Sequence, residues 1–147
     1  MKRLASYIIL AIAATIGLSS CSHNDGDIGY WFGLWHLDSI EANGTPVPDY
    51  EGNTYFMFQG KVFCIRCVDE DNHDYNESFA QWQENDDHQS ATITFADEHF
   101  LPTITPLIPL ETITTFNVVT LNDKVMVLKH THSETGITRT YYLTRWE

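Results

Sequence analysis

The sequence predicts an all-β domain, an eight-stranded antiparallel up-and-down barrel. Three observations lead there. No window beyond residue 30 keeps an apolar repeat of 3.6 residues for three turns, so no helix is expected in that part. Short alternating runs of β-branched and aromatic residues recur instead between turn signals. Those runs number eight, and most of the connections between them are short enough for hairpins.

Residues 31–40 make the first strand, ended by Asn43-Gly44 with Pro46 and Pro48. Residues 54–59 make the second, and Gln59-Gly60 reverses the chain into a third at 61–68. A charged turn at 69–74 leads to a fourth strand at 75–83, and a polar loop at 85–89 to a fifth at 91–95. After a long connection, 96–111, come strands at 112–121, 124–132 and 137–145. Asn122-Asp123 and Ser133-Glu134-Thr135-Gly136 join these three as hairpins. Eight strands enclose a space that side chains can fill or that can hold one small ligand.

The chain has 147 residues, which suits one domain, and 43% hydrophobic with 13% aromatic residues can build a core. With 8 Lys plus Arg against 20 Asp plus Glu, its net charge of −12 excludes general binding to phosphate backbones, so no nucleic-acid partner is expected.

The first residues read as an address. Lys2 and Arg3 precede an apolar run over residues 7–18, broken only by Thr15 and too short for a typical membrane span. Leu18-Ser19-Ser20-Cys21 closes the run and resembles the bacterial lipobox, in which a peptidase cuts before the cysteine. That resemblance implies a lipoprotein signal peptide over 1–20, a diacylglycerol thioether on Cys21, a polar tether over 21–29 and the barrel domain over 30–147. It also implies a lipid-anchored protein of a Gram-negative cell envelope, at the outer membrane on its periplasmic or surface face. The membrane, reached through the lipid on Cys21, is then the first expected partner. Asp25 and Asp27 in the tether resemble acidic export tags.

Gly33-Leu34-Trp35 at the first strand resembles the glycine-any-tryptophan signature of lipocalins, and Arg145 sits where that superfamily places a basic residue across the tryptophan. The phrases Thr115-Phe116-Asn117-Val118, residues 121–128 and Tyr141-Tyr142-Leu143-Thr144-Arg145 look like the bacterial lipocalin-like (calycin) lipoprotein domain. The resemblance covers roughly residues 30–147. It implies a barrel floor of Gly33, Trp35 and Arg145, with the guanidinium stacked on the indole at about 0.5–2 kcal/mol. It turns Met126, Leu128 and His130 inward, faced by Phe116 and Val118 and joined by Tyr141 and Leu143. These seven are the candidate cavity lining. The function implied is non-covalent binding of a small apolar or amphipathic ligand. The alternative is an interaction module whose filled barrel presents loops to an envelope protein partner.

Other constellations are weaker. Cys64-Ile65-Arg66-Cys67 has thiol-pair spacing, yet on a strand the thiols lie on opposite faces and about 10 Å apart, beyond the roughly 7 Å of a disulfide. Two buried structural cysteines are the preferred reading, a disulfide through a turn at Ile65-Arg66 the second, and thiol oxidoreduction the third. His130 and His132 share a face and could chelate a metal with His99, but Met126 and Leu128 on that face favour a core. Asp69, Glu70, Asp71 and Asp74 lack the calcium-loop pattern and read as a solvated turn. No nucleophile-base motif or phosphate loop stands out, so neither an enzyme nor a cofactor or metal is expected. Residues 100–110 carry Pro102, Pro106 and Pro109 among aliphatics; the segment packs outside the barrel, folds over its mouth, or docks a partner.

Overall fold

The computed structural model describes residues 29–102 and 107–146. The expected signal peptide, Cys21 and all of the tether except Gly29 lie outside the described residues, as do 103–106 of the proline-bearing segment.

Among the described residues there are nine strands: β1 (Gly33–Ala42), β2 (Thr45–Pro46), β3 (Thr54–Gln59), β4 (Val62–Asp69), β5 (Asp74–Glu84), β6 (Ser90–Thr94), β7 (Ile113–Leu121), β8 (Val125–Thr131) and β9 (Thr138–Arg145). The added one, β2, is a two-residue fold-back onto the end of β1, where Asn43 and Gly44 take positive φ. The other eight form the barrel. β1 pairs with β3, each later strand pairs antiparallel with the next, and β9 returns to β1. Each expected strand is found, with its ends displaced by two residues at most.

The registers define two ends. The floor gathers the start of β1, the reversals β3–β4, β5–β6 and β7–β8, and the end of β9. The mouth gathers the connections after β1, β4, β6 and β8. One wall is incomplete. β6 is short and pairs with β5 only from Gln81 opposite Thr94 to Glu84 opposite Ala91. Above it the chain leaves the ladder, makes a 3-10 turn at Glu98–Phe100 against β5, and buries Ile108 and Leu110 in the core. Of the three placements open to the proline-bearing segment, its described part takes the one that closes the mouth and the upper wall.

Period-2 alternation buries one face of each strand, as in β8, where Met126, Leu128 and His130 are inside and Lys129 and Thr131 outside. Rings form an unbroken series through the interior. Trp31 meets Trp82 at 5.7 Å between centroids, Trp82 meets Phe58 at 5.1 Å, Phe58 meets Phe63 at 5.1 Å and Phe63 meets Phe56 at 5.5 Å. Phe56 then meets Tyr141 at 5.9 Å, Tyr141 meets Phe116 at 5.7 Å, and Phe116 meets His130 at 6.1 Å. All of these contacts are tilted or edge-to-face, and aromatic quadrupoles favour such edge contacts over a face-to-face sandwich.

Candidate functional site

The floor is built from β1 and β9, which place Trp35 directly opposite Arg145. The guanidinium carbon lies 4.3 Å from the centre of the indole ring. The three guanidinium nitrogens donate to three carbonyls: Nη1 to Phe32 at 2.7 Å, Nη2 to Tyr30 at 2.9 Å and Nε to Asp123 at 2.7 Å. Trp35 Nε1 donates to the Trp31 carbonyl at 2.9 Å. Gly33 makes this possible. Its φ is +134°, and a Cβ there would stand 2.4 Å from Arg145 Nη1, so any side chain would push the guanidinium off its carbonyls.

In the interior, Phe116, Met126, Leu128, Tyr141 and Leu143 are buried, and His130 is nearly so. Val118, opposite Leu128 and just before a register shift between Val118 and Thr120, is half-buried and packs on the core. The candidate lining therefore meets in one place, and its aromatic members touch each other. A groove of about 560 Å3 lies elsewhere, near the floor, between the aromatics Trp31, Phe32 and Trp82 and the polar Gln81, Gln83 and Thr92. A depression of about 470 Å3 sits beside the acidic turn at Asp69, Glu70 and Asp71.

The mouth differs in chemistry. His130 and Arg139 are directly opposed on β8 and β9, with Leu128 and Tyr141 opposed two pairs below. The Tyr141 hydroxyl is fully buried and has no hydrogen-bond partner among the described residues; the same is true of Arg139 Nε. Burial pushes the phenol far above its usual pKa, and the Arg139 charge opposes that shift. No carboxylate among the described residues lies within 4.0 Å of Arg139. His130 faces the Thr115 carbonyl through Nδ1 at 3.1 Å, while Nε2 stands 3.0 Å from Glu111 Oε2 but out of hydrogen-bond alignment.

Glu111 ends the segment that closes the mouth. Its amide donates to Thr114 Oγ1 and its carbonyl accepts from the same hydroxyl, both at 2.9 Å. Its carboxylate accepts from the amide of Ser133 at 3.2 Å and from the Ser133 hydroxyl, which ties the segment to the β8–β9 turn. Burial works to raise the pKa of Glu111, but the Ser133 hydrogen bonds, with His132 and His130 nearby, outweigh it and hold the carboxyl below its usual value.

Arg139 and Glu111 were not among the residues singled out from the sequence. Arg139 had a signal, since it precedes Tyr141 by two and so shares its inward face. Glu111 had none, because it lies in an aperiodic segment. Both thiols are free: Cys64 is buried, but Cys67 is only half-buried, which corrects the expectation of two buried cysteines. Burial, seconded by Glu77 and opposed by Arg66, pushes the Cys64 thiol up to about 11, so little thiolate is present for exchange. Among the described residues no group of three or more His, Cys, Asp or Glu side chains is placed to hold a metal ion.

The profile of the lipocalin-like domain family matches residues 16–139. Among solved structures, a lipocalin-like protein from Bacteroides uniformis aligns with a TM-score of 0.61 at 18% identity, covering 80% of this chain and 100% of that one. An uncharacterized protein from Bacteroides eggerthii aligns with a TM-score of 0.53 at 18% identity, covering 79% of this chain and 99% of that one. At such identity the likeness is one of fold. No curated protein matches the chain.

Proposed function

The chain belongs to the lipocalin-like domain family, and from that premise we propose that it binds one small amphipathic molecule at the closed mouth of its barrel, while anchored to the bacterial envelope by lipid on Cys21. The observation that carries the binding reading is the Tyr141 hydroxyl, fully buried and without a partner among the described residues. An unsatisfied buried hydroxyl costs about 1–3 kcal/mol, which phenylalanine of nearly the same shape would avoid. Pockets that recognise small molecules are mostly apolar with a few such polar groups.

Entry requires the segment ending at Glu111 to swing outward. That motion breaks the Ser133 contacts and withdraws Ile108 and Leu110 from the core. The apolar body of the ligand takes their place, so the ring-filled interior below need not open. The reading includes no catalysis. A neutral apolar fluorophore, Nile red, should bind the chain one-to-one with micromolar affinity and blue-shifted emission. Leu110→Ala, which loosens the closure, should speed its binding. Absence of saturable binding would overturn the reading.

A second reading has one observation in its favour. The rings touch from floor to mouth, as in a barrel that serves as a solid scaffold for loops that contact an envelope protein. Failure of Nile red to bind would favour it. The anchor is supported by the sequence of residues 18–21 alone. Cys21→Ser should move the protein out of the membrane fraction, and unchanged partition would remove the anchor from the proposal.

A further inference from the structure

The incomplete wall leaves backbone chemistry open along β5. Trp82 donates its amide to the Lys61 carbonyl beside β4, and Gln81 pairs with Thr94 on β6. Even-numbered residues of β5 therefore bond toward β4, and odd-numbered ones toward the β6 side. β6 reaches only as far as Thr94. Above it the amides and carbonyls of Glu77 and Phe79, with the carbonyl of Tyr75, face the open side and have no hydrogen-bond partner among the described residues. The Tyr75 amide is satisfied locally, by Asp74 Oδ1 at 2.8 Å. The described part of the segment that closes the upper wall packs there through side chains and adds no ladder bond to this stretch. Tyr75 and Phe79 point outward from the edge and are more than half exposed, as is Phe100 on the turn packed beside it.

We propose that this edge of β5 takes an extended segment of a protein partner, bearing Lys or Arg, as an added strand. It is a second site, separate from the ligand in the mouth. An unpaired edge is a template for another strand. Donors and acceptors that recur every two residues, about 7 Å apart, match an extended backbone. Charge selects the segment. From Cys67 to Asp123 the sequence has twelve acidic residues and no Lys or Arg, and both rims of the gap fall inside that stretch. Asp74 and Glu77 stand on one rim, Asp97 and Glu98 on the other. Both contacts from Arg66 go to Oε1 of Glu77, so Oε2 can accept from a second cation. A second copy of the chain would bring the same acidic stretch and a net charge of −12, and is repelled. In antiparallel pairing, the partner residues opposite Tyr75, Glu77 and Phe79 share their outward face. The segment therefore reads apolar, any, basic, any, apolar. Its intervening residues face inward beside Asn76 and Ser78, which suits small or polar side chains.

Amide exchange followed by NMR tests this on the wild-type chain. In the free protein the amides of Glu77 and Phe79 should exchange about tenfold or more faster than those of Asn76 and Ser78, which bond to β4. The capped peptide Thr-Val-Thr-Lys-Thr-Val-Thr should bind with a Kd below about 1 mM and slow exchange at Glu77 and Phe79. Glutamate in place of its lysine should weaken binding about tenfold or more. N-methylation of its valine and lysine amides should abolish binding, because those groups would pair with β5. Phe79→Pro, which removes a donor from the open side and none from the β4 ladder, should weaken binding as well. Absence of binding would overturn the proposal, as would equal binding of the lysine and glutamate peptides or undiminished binding of the methylated one. Protection of Glu77 and Phe79 in the free chain that is lost on dilution would give the edge to a second copy and overturn it too. None of these outcomes bears on Nile red binding, so the ligand reading is tested apart.

Discussion

Arg145 and Arg139 lie on one face of one strand, six positions apart, and the barrel treats them in opposite ways. At the floor, the Arg145 nitrogens all meet carbonyls and its plane covers Trp35. At the mouth, the buried nitrogen of Arg139 meets nothing among the described residues. One guanidinium is committed to the fold, and the buried nitrogen of the other is not. The difference teaches where to seek function in a barrel of this kind, since a satisfied polar group reports on stability and an unsatisfied one asks for a partner from outside.

The comparison can be broken from either side. Trp35→Ala should have the largest effect, about 3–5 kcal/mol lost in urea unfolding, as expected for truncation of a large buried aromatic. Arg145→Ala should cost less, about 1–3 kcal/mol, because it frees carbonyls near solvent as well as removing the stack. The double variant should lose less than the sum, as contacting neighbours do. Strict additivity would separate the pair and make the floor a collection of independent parts.

The mouth should respond to pH in one direction. Glu111 is held below its ordinary value of 4.5 in the folded chain. Its contribution to closure is therefore fully present above that value and is lost as pH falls through the lower folded one. Hydrogen exchange of the amides at 107–111 should accelerate in that acid window, and Glu111→Gln should show the faster exchange at neutral pH. Exchange that ignores both changes would mean that Ile108 and Leu110 alone hold the segment shut.

These two regions were not equally legible in the sequence. Strands could be read because alternation and turn residues act locally, and their ends moved by a residue or two because a ladder ends where partners run out rather than where composition changes. Gly33, Trp35 and Arg145 could all be picked out by resemblance, but the contact that requires the glycine could not. That contact is the approach of a guanidinium from the far end of the chain, 2.4 Å from a hypothetical Cβ. Val118 was read by parity, which holds as far as its pairing with Leu128; the register shift that follows, between Val118 and Thr120, was not legible. Arg139 could have been found from the alternation that placed Tyr141. Glu111 became visible only when the closing segment was seen to end against His130 and Ser133.

The smallest expected effect tests the comparison most directly. If the Tyr141 hydroxyl is unpartnered in the fold and kept for a ligand, Tyr141→Phe removes a buried desolvation cost and loses no hydrogen bond. Urea unfolding of the ligand-free chain should then show Tyr141→Phe as stable as the wild type or more so, by up to about 1 kcal/mol, with an unchanged slope. A loss of about 1 kcal/mol or more would contradict this, because it would show that the hydroxyl already has its partner within the protein and that mouth and floor are built alike.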